Sequence, residues 1–166
     1  MSDHSQGYRI ETVYGRLTQP QRAEIIRFWM KHRALPSIEA ARRRVAQVID
    51  VLRNAEGEIV GLNTVYPGAY RDPGRRYLFY RLYIRPQDRR PGLARRATRH
   101  VVEALLAHPE LRPGIKGLIA VTENPKLSRE AARRQLQRIG FEYDGRGPKG
   151  FDIWRVEFPD AAAPLQ

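Results

Sequence analysis

A basic turn joins a predicted β-strand over residues 77–85 to a predicted helix that begins at Leu93. The turn contains Arg89 and Arg90 and ends on Gly92. Where a strand, a turn and a helix follow one another in this way, unpaired backbone N–H groups and the positive end of the helix dipole are directed at one point. Phosphate groups bind at such points, so this segment is a candidate phosphate site.

The residues that open the predicted helix support this interpretation. Gly92 and Ala94 have the small side chains that let a phosphate approach the backbone closely. Arg95 and Arg99 lie one turn apart on the helix surface and add positive charge. A plain helix start with an incidental glycine is the alternative, and the basic turn makes it the weaker of the two.

The charge of the chain is concentrated around this turn. The 166 residues include 30 Lys and Arg against 18 Asp and Glu, a formal net charge of +12. Residues 71–99 contain ten arginines against Asp72 and Asp88, which is a net charge of +8. An ordinary solvated surface would spread this excess, so the segment indicates an anion-binding region.

The composition excludes several classes of function. Because the chain has no cysteine, it has no disulfide, thiolate metal site or cysteine nucleophile. Its carboxylates and histidines lack metal-ligand spacing, so we expect no metal. No apolar run approaches the roughly 20 residues that cross a bilayer, and the N-terminus lacks a signal-peptide pattern. We therefore expect a cytoplasmic protein with no membrane partner. The length predicts one domain over residues 8–158, between flexible termini at 1–7 and 159–166.

The predicted elements run in the order strand, two helices, three strands, helix, strand, helix and two strands. Thr18 opens a capping box for the first helix, and Ser37 and Ser128 are the expected caps of the second and the last helix. The second helix is expected to include Val48, although that residue also fits the start of the following strand. Residues 67–76, rich in Gly, Pro and Arg, are predicted to form a loop. This mixture predicts an α/β or α+β fold with a mixed sheet.

Residues 89–94, Arg-Arg-Pro-Gly-Leu-Ala, match the R/Q-x-x-G-x-G/A motif of the GCN5-related N-acetyltransferases (GNATs). Residues 82–86 resemble that family's fourth strand, and residues 128–141, ending in Gly-Phe, resemble its second conserved helix and the strand that follows. The resemblance covers residues 8–158. It implies a single-domain GNAT-like fold, in which a mixed, mostly antiparallel sheet of about seven strands is flanked by about four helices.

The resemblance also implies that the chain uses acetyl-CoA, or another acyl-CoA, as a cosubstrate. In the family, amides of the motif bind the diphosphate of coenzyme A, and the end of the central strand pairs with the pantetheine arm. The corresponding residues here are Arg89, Arg90, Gly92, Leu93, Ala94 and Arg95 for the diphosphate, and Tyr83, Ile84 and Arg85 for the strand. Arg129 replaces the asparagine usual near the start of the last helix, and Asn124 is expected to substitute for it. A splay between the central strand and residues 116–122 would admit the thioester.

The catalytic residues of the family are harder to match. Relatives carry a carboxylate on the central strand and a tyrosine five residues before the Phe of Gly-Phe. Here residues 79–82 contain no acid, and Leu136 stands at the tyrosine position. Glu123, at the end of a buried strand, is the candidate base, although capping a loop fits it equally well. Tyr80 and Tyr143 are candidate proton donors, although strand tyrosines more often pack in the core or at its rim.

The missing carboxylate favours an acceptor amine that loses its proton easily. An α-amine, with a pKa of about 7.7–8.0, is substantially neutral at cellular pH, whereas a lysine amine at about 10.4 is not. The positive charge favours an anionic acceptor, either a protein or an RNA-linked molecule, such as a ribosomal protein terminus or an aminoacyl-tRNA. Its candidate ligands are Arg71, Arg75, Arg76 and Arg81.

Two alternatives stay open at this point. One is an acyltransferase for a small carboxylate-bearing metabolite, held by the same arginines. The other is a nucleic-acid-binding domain with a GNAT-like fold and no catalysis. The sequence leaves the acyl chain length open, and a homodimer is compatible with it.

Overall fold

The computed structural model describes residues 7–160 of the chain. Within that range the helices and strands are β1 (Arg9–Thr12), α1 (Gln19–Lys31), α2 (Ile38–Arg44), β2 (Val48–Arg53), β3 (Ile59–Tyr70), β4 (Asp72–Ile84), α3 (Leu93–Ala107), β5 (Ile115–Thr122), α4 (Glu130–Ile139), β6 (Glu142–Arg146) and β7 (Asp152–Glu157). The seven strands form one sheet in the order β1-β2-β3-β4-β5-β7-β6. The β4–β5 pair is parallel, whereas β1–β2, β2–β3, β5–β7 and β6–β7 are antiparallel.

The starts of the first two helices follow the predicted local signals. The Thr18 side chain accepts a hydrogen bond from the Gln21 amide, and the Gln21 side chain accepts one from the Thr18 amide, so the capping box is complete. Ser37 caps α2 by accepting from the amide of Ala40. These bonds pair donors that a helix N-terminus otherwise leaves without partners, which is why both helices begin where the sequence predicts.

The predicted loop over residues 67–76 is wrong. These residues extend β3 and β4 into a long hairpin, whose tip is Arg71 with φ of 61°. The high Gly and Pro content concealed an alternation of half-buried and exposed residues along residues 66–70. Gly68 is needed there because a Cβ atom would lie 2.9 Å from the ring of Phe79.

Two boundaries also differ from the prediction. Helix α2 ends at Arg44, and Val48 begins β2 instead of continuing the helix. Ser128 does not cap α4, because it belongs to a 3-10 turn, Pro125–Ser128, that precedes the helix. The N-cap position of α4 is Arg129, which makes no side-chain capping bond. At the other end Gly140, with φ of 119°, terminates α4 as predicted.

The described chain divides into two compact units, one formed by residues 7–65 and 81–101 and the other by residues 66–80 and 102–160. In the first unit, one apolar cluster includes Ile25 and Trp29 of α1 together with Val51 and Leu62. A second cluster joins the start of α3 to the strands through Leu52, Val60, Ile84, Leu93 and Ala97. In the second unit, Tyr77, Ile119 and Ile153 form a small core. The predicted single domain over residues 8–158 stays a prediction, and residues 1–6 and 161–166 of the predicted flexible termini lie outside the described range.

A buried polar cluster attaches α3 to the strands of the first unit. Asp50 is fully buried and accepts hydrogen bonds from Thr12 Oγ1 at 3.0 Å and from Asn63 Nδ2 at 2.9 Å. His100 Nδ1 of α3 lies 3.2 Å from Asp50 Oδ2, and Asn63 Nδ2 also donates to the Ala97 carbonyl at 3.1 Å. Because buried polar groups are costly to leave unpaired, these bonds restrict how α3 lies on the strands.

Candidate functional site

The turn between β4 and α3 begins as a single 3-10 turn, Pro86–Asp88. Its backbone amides are used locally, since the Arg89 amide donates to the Pro86 carbonyl and the Arg90 amide donates to the Asp88 carbonyl at 2.8 Å. Gly92 then adopts φ of 87°, a conformation that favours glycine. Gly92 is therefore the last residue of the turn, and α3 begins at the next residue, Leu93.

The first turn of α3 presents backbone donors without acceptors. The Leu93 amide donates to the Arg90 carbonyl at 3.3 Å, and the Arg96 amide donates to the Gly92 carbonyl at 3.0 Å. The amides of Gly92, Ala94 and Arg95 have no backbone acceptor within residues 7–160. Three such donors at the positive end of a 15-residue helix form an arrangement that suits a phosphate. Of the six predicted diphosphate ligands, the structure thus leaves three amides fully available.

An ion-paired carboxylate holds this turn in shape. Asp88 is buried and accepts a hydrogen bond from the Tyr8 hydroxyl at 2.7 Å and another from Arg85 Nε. Arg90 Nε donates to the Tyr8 hydroxyl at 3.0 Å, and Arg85 Nη1 donates to Glu58 at 3.2 Å. Tyr8, Asp88 and Arg90 also line a cavity of about 240 Å³.

The electrostatics of this cluster favour the charged carboxylate. Burial alone would raise the pKa of Asp88, but the hydrogen bonds from Tyr8 and Arg85 and the charges of Arg85 and Arg90 lower it below its usual value. Burial and the hydrogen bond to Asp88 raise the pKa of Tyr8. The sequence did not predict that Asp88 and Tyr8 would stabilise this turn. The one sequence feature that points to Asp88 is that it is the single acidic residue in an otherwise basic turn.

Several predicted coenzyme ligands use their side chains inside the protein. Arg85 is committed to Asp88 and Glu58, and Arg89 Nε donates to the Ile84 carbonyl at 2.8 Å. Ile84 is buried in the apolar cluster at the start of α3. Tyr83 is half-buried, with its ring centre 5.9 Å from that of Phe28. Contacts of these residues with pantetheine, and the splay beside the central strand, stay predictions.

In the second unit, a cavity of about 200 Å³ contains the predicted base. It is lined by Thr122, Glu123, Pro125, Ser128, Arg146, Gly150, Phe151 and Asp152. Glu123 is exposed, and its carboxylate makes no hydrogen bond or ion pair with the described part of the chain. Asn124 caps the adjoining 3-10 turn by accepting from the Lys126 amide at 3.0 Å. The carboxylate of Glu123 is therefore available to a ligand in this cavity.

The predicted proton donors have different surroundings. Tyr143 is 43% exposed, and its hydroxyl donates to Asp152 Oδ1 at 3.3 Å. Its ring centre lies 5.4 Å from that of Trp154, and the Arg133 guanidinium lies over the Tyr143 ring, 4.9 Å from its centre. Tyr80 is half-buried on β4. Neither residue has an observed catalytic contact, so their roles stay predictions.

Two of the four predicted acceptor ligands are paired with carboxylates of the second unit. Arg71 donates to the Asp144 carbonyl at 2.5 Å and lies 3.6 Å from its carboxylate. Arg75 lies 3.6 Å from Glu157. Arg76 and Arg81 are exposed on β4. Acceptor binding by any of the four stays a prediction, and the pairing of Arg71 and Arg75 reduces the positive charge that they offer.

Neither a metal cluster nor a membrane span is visible in the part of the chain described here. Residues 7–160 contain no group of three or more His, Asp or Glu side chains placed to hold a metal ion. Every helix in that range is too short or too polar to cross a lipid bilayer. The expectation that no metal takes part stays a prediction.

Comparison with solved structures identifies the fold. The chain aligns with the ribosomal-protein-S5-alanine acetyltransferase of Vibrio fischeri at a TM-score of 0.63 and 15% identity, over 96% of this chain and 97% of that one. It also aligns with a GNAT-family acetyltransferase of Streptococcus pneumoniae at a TM-score of 0.60 and 14% identity, over 92% and 99% of the two chains. This chain has the GNAT fold.

A third solved structure with the GNAT fold contains acetyl-CoA. It is the GNAT-superfamily phosphinothricin acetyltransferase of Sinorhizobium meliloti, with a TM-score of 0.66 and 14% identity over 96% of this chain and 93% of that one. No protein-family model and no curated protein matches the sequence. The sequence prediction of a GNAT-like, mostly antiparallel seven-stranded sheet with four helices is therefore confirmed at the level of the fold.

Proposed function

We propose that this protein is an acetyltransferase that uses acetyl-CoA to acetylate an amine. The observation that carries the proposal is the set of three amides at the start of α3, those of Gly92, Ala94 and Arg95, that have no backbone acceptor within residues 7–160. They occur within the sequence motif that resembles the coenzyme A motif of the GNATs, in a chain with the GNAT fold. Backbone donors at a helix N-terminus bind phosphate without regard to side chains, so a diphosphate suits this position.

The residues present fit acetyl-CoA on chemical grounds. The three amides would hold the diphosphate, and the small side chain of Ala94 leaves the backbone accessible. Bound acetyl-CoA would supply an activated acetyl thioester. The Arg85–Asp88 ion pair fixes the two side chains that precede these amides, so neither side chain has to move before a diphosphate binds.

The amine nitrogen would form its bond to the acetyl carbon as the thioester C–S bond breaks, and the leaving sulfur would take up a proton, for which Tyr80 and Tyr143 are the candidate donors. The chain must also accept the proton that the amine loses. Glu123 is the carboxylate that we assign to this step, since it borders a cavity and has no partner within the described residues. An α-amine with a pKa of about 7.7–8.0 is neutral in roughly a quarter to two-fifths of molecules near pH 7.5, whereas a lysine amine with a pKa of about 10.4 is almost fully protonated. The acceptor that fits best is therefore an α-amine, on a molecule that also carries an anionic group.

The names of two proteins with this fold agree with such an acceptor. One names an alanine of ribosomal protein S5, and the other names phosphinothricin. At identities of 14–15% these names support amine acetylation in general and do not select between a protein and a small acceptor.

Isothermal titration of the whole chain with acetyl-CoA tests the proposal. We expect binding in the micromolar range, and about tenfold weaker binding for Gly92→Ala because an alanine at φ of 87° strains the turn by roughly 1–2 kcal/mol. Gly57→Ala is the matched control, since Gly57 has φ of 81° with open space for a Cβ. Absence of binding by the unmodified protein at millimolar acetyl-CoA would refute the proposal.

Catalysis requires a second measurement. We expect coenzyme A release, followed with a thiol reagent, when acetyl-CoA is mixed with pools of amine acceptors. The Glu123→Gln variant should release coenzyme A more slowly and bind acetyl-CoA unchanged. Tight binding of acetyl-CoA with no release from any pool would instead favour a domain that binds the coenzyme without catalysis.

A further inference from the structure

The cavity beside Glu123 has a charge pattern that the proposed function leaves unexplained. Its volume of about 200 Å³ lies below the roughly 300–1,000 Å³ of pockets that hold drug-sized ligands, so it suits a small metabolite. Its lining combines two carboxylates, Glu123 and Asp152, with one guanidinium, Arg146. We refer to this feature as the Asp152 pocket.

Asp152 is a buried carboxylate with spare hydrogen-bonding capacity. It is only 8% exposed, yet the contacts to its carboxylate both go to Oδ1, from the Tyr143 hydroxyl at 3.3 Å and from Arg146 Nε at 3.6 Å. No donor within residues 7–160 bonds to Oδ2. Oδ2 is therefore open to the solvent of the cavity, where it can accept a hydrogen bond from a charged donor of a ligand.

Arg146 has hydrogen-bond donors that a ligand carboxylate could use. Its side chain is 74% exposed, and its ion-pair contact, with Asp152, lies beyond hydrogen-bond distance at 3.6 Å. The guanidinium therefore keeps donors in the fork geometry that binds a carboxylate through two hydrogen bonds.

The short distance between these two residues restricts the ligand. Because Arg146 Nε lies 3.6 Å from Asp152 Oδ1, a ligand that pairs with both must carry its ammonium and its carboxylate close together. An α-amino acid meets this condition, since one carbon separates its two charged groups. A ligand with the charges at opposite ends of a chain does not.

We propose that the Asp152 pocket binds a small α-amino acid, with Asp152 holding its ammonium group and Arg146 its carboxylate. As the identity of the acceptor, this rests on the proposed acetyl transfer: the ammonium group that Asp152 holds must lose a proton to Glu123 at the same pocket before its nitrogen attacks the thioester. As a binding site, it rests on the second unit alone.

Three matched compounds test the proposal by isothermal titration of the whole chain, with and without saturating coenzyme A. L-Norvaline carries both charged groups, butylamine lacks the carboxylate, and pentanoate lacks the amine. We expect norvaline to bind at least about tenfold more tightly than either partner compound, the size of effect typical for one charge-assisted hydrogen bond. We expect 5-aminopentanoate to bind no better than butylamine.

Two variants separate the roles of the charged residues. Asp152→Asn should weaken norvaline and butylamine about tenfold and leave pentanoate unchanged, whereas Arg146→Gln should weaken norvaline and leave butylamine unchanged. Lys149→Gln and Glu142→Gln are the matched controls, because both residues are exposed and neither lines the pocket. Equal effects of a variant and its control would overturn the assignment of that residue.

The outcomes distinguish this proposal from the proposed function. If acetyl-CoA binds and norvaline does not bind in either condition, the pocket assignment is wrong and acetyl transfer stands. If norvaline binds with the expected selectivity and acetyl-CoA does not bind, the pocket stands as an amino-acid site and the transferase proposal is wrong.

Discussion

The substitution Asp88→Asn tests whether one carboxylate organises the turn between β4 and α3. It preserves the shape of the side chain and removes its charge. Asp88 is buried, accepts from the Tyr8 hydroxyl at 2.7 Å and pairs with Arg85. The variant leaves Arg85, whose side chain is 12% exposed, with Glu58 as its remaining carboxylate partner.

The expected cost follows from the two hydrogen bonds. Bonds to a charged group contribute about 1.5–3 kcal/mol each, against about 0.5–1.5 kcal/mol for neutral ones, so converting two of them costs about 2–3 kcal/mol. For a chain of 166 residues this corresponds to a fall in melting temperature of about 5–10 °C. Because the turn holds the amides of Ala94 and Arg95, we also expect weaker binding of acetyl-CoA.

The pH dependence has a definite sign. The pKa of Asp88 is lower in the folded chain than its ordinary value of 3.8, so its contribution to stability is complete above that value and is lost as the pH falls towards the folded pKa. The difference in unfolding free energy between the native chain and Asp88→Asn should therefore be constant from pH 7 to about pH 5 and shrink below about pH 4.

Chemical denaturation monitored by circular dichroism measures these differences. Asp72→Asn is the matched control, because exposed Asp72 accepts a hydrogen bond from the Gly74 amide at 2.9 Å, and an asparagine oxygen can do the same. We expect that control to stay within about 0.5 kcal/mol of the native chain. A change below about 0.5 kcal/mol for Asp88→Asn, or a difference that persists unchanged in acid, would refute the reasoning.

Two further substitutions test the packing and the capping of the fold. Gly117→Ala should destabilise the chain by about 3 kcal/mol or more, since its Cβ would lie 2.1 Å from the Val156 carbonyl oxygen. Gly74→Ala is the matched control and should be nearly neutral, because the atom nearest to its Cβ would be 3.5 Å away. Equal melting temperatures for these two variants would contradict the predicted clash with Val156. Thr18→Ala should lower the unfolding free energy by about 1 kcal/mol through loss of the capping box, and a denaturation midpoint equal to that of the native chain would show that the cap contributes nothing.

Local signals in the sequence predicted much of the fold. The capping box at Thr18, the cap at Ser37 and the glycine after α4 each act within one helical turn, so they are readable without tertiary contacts. The hairpin extension over residues 67–76 was missed because its alternation depends on burial against Phe79 and Tyr77, which composition does not reveal. Ser128 was wrongly expected to cap α4 because the preceding 3-10 turn includes it.

In the candidate site, too, some features follow from local sequence and others depend on tertiary contacts. The sequence by itself predicted a phosphate site at the start of α3, because Gly92, Ala94 and the first turn of that helix are consecutive along the chain and their geometry is local. Only the tertiary structure decided which charged side chains of the turn are paired inside the protein, since Tyr8 and Asp88 are 80 residues apart in the sequence. It alone also brought Asp152 to the cavity beside Glu123, because antiparallel pairing of β5 with β7 joins positions that no sequence spacing connects.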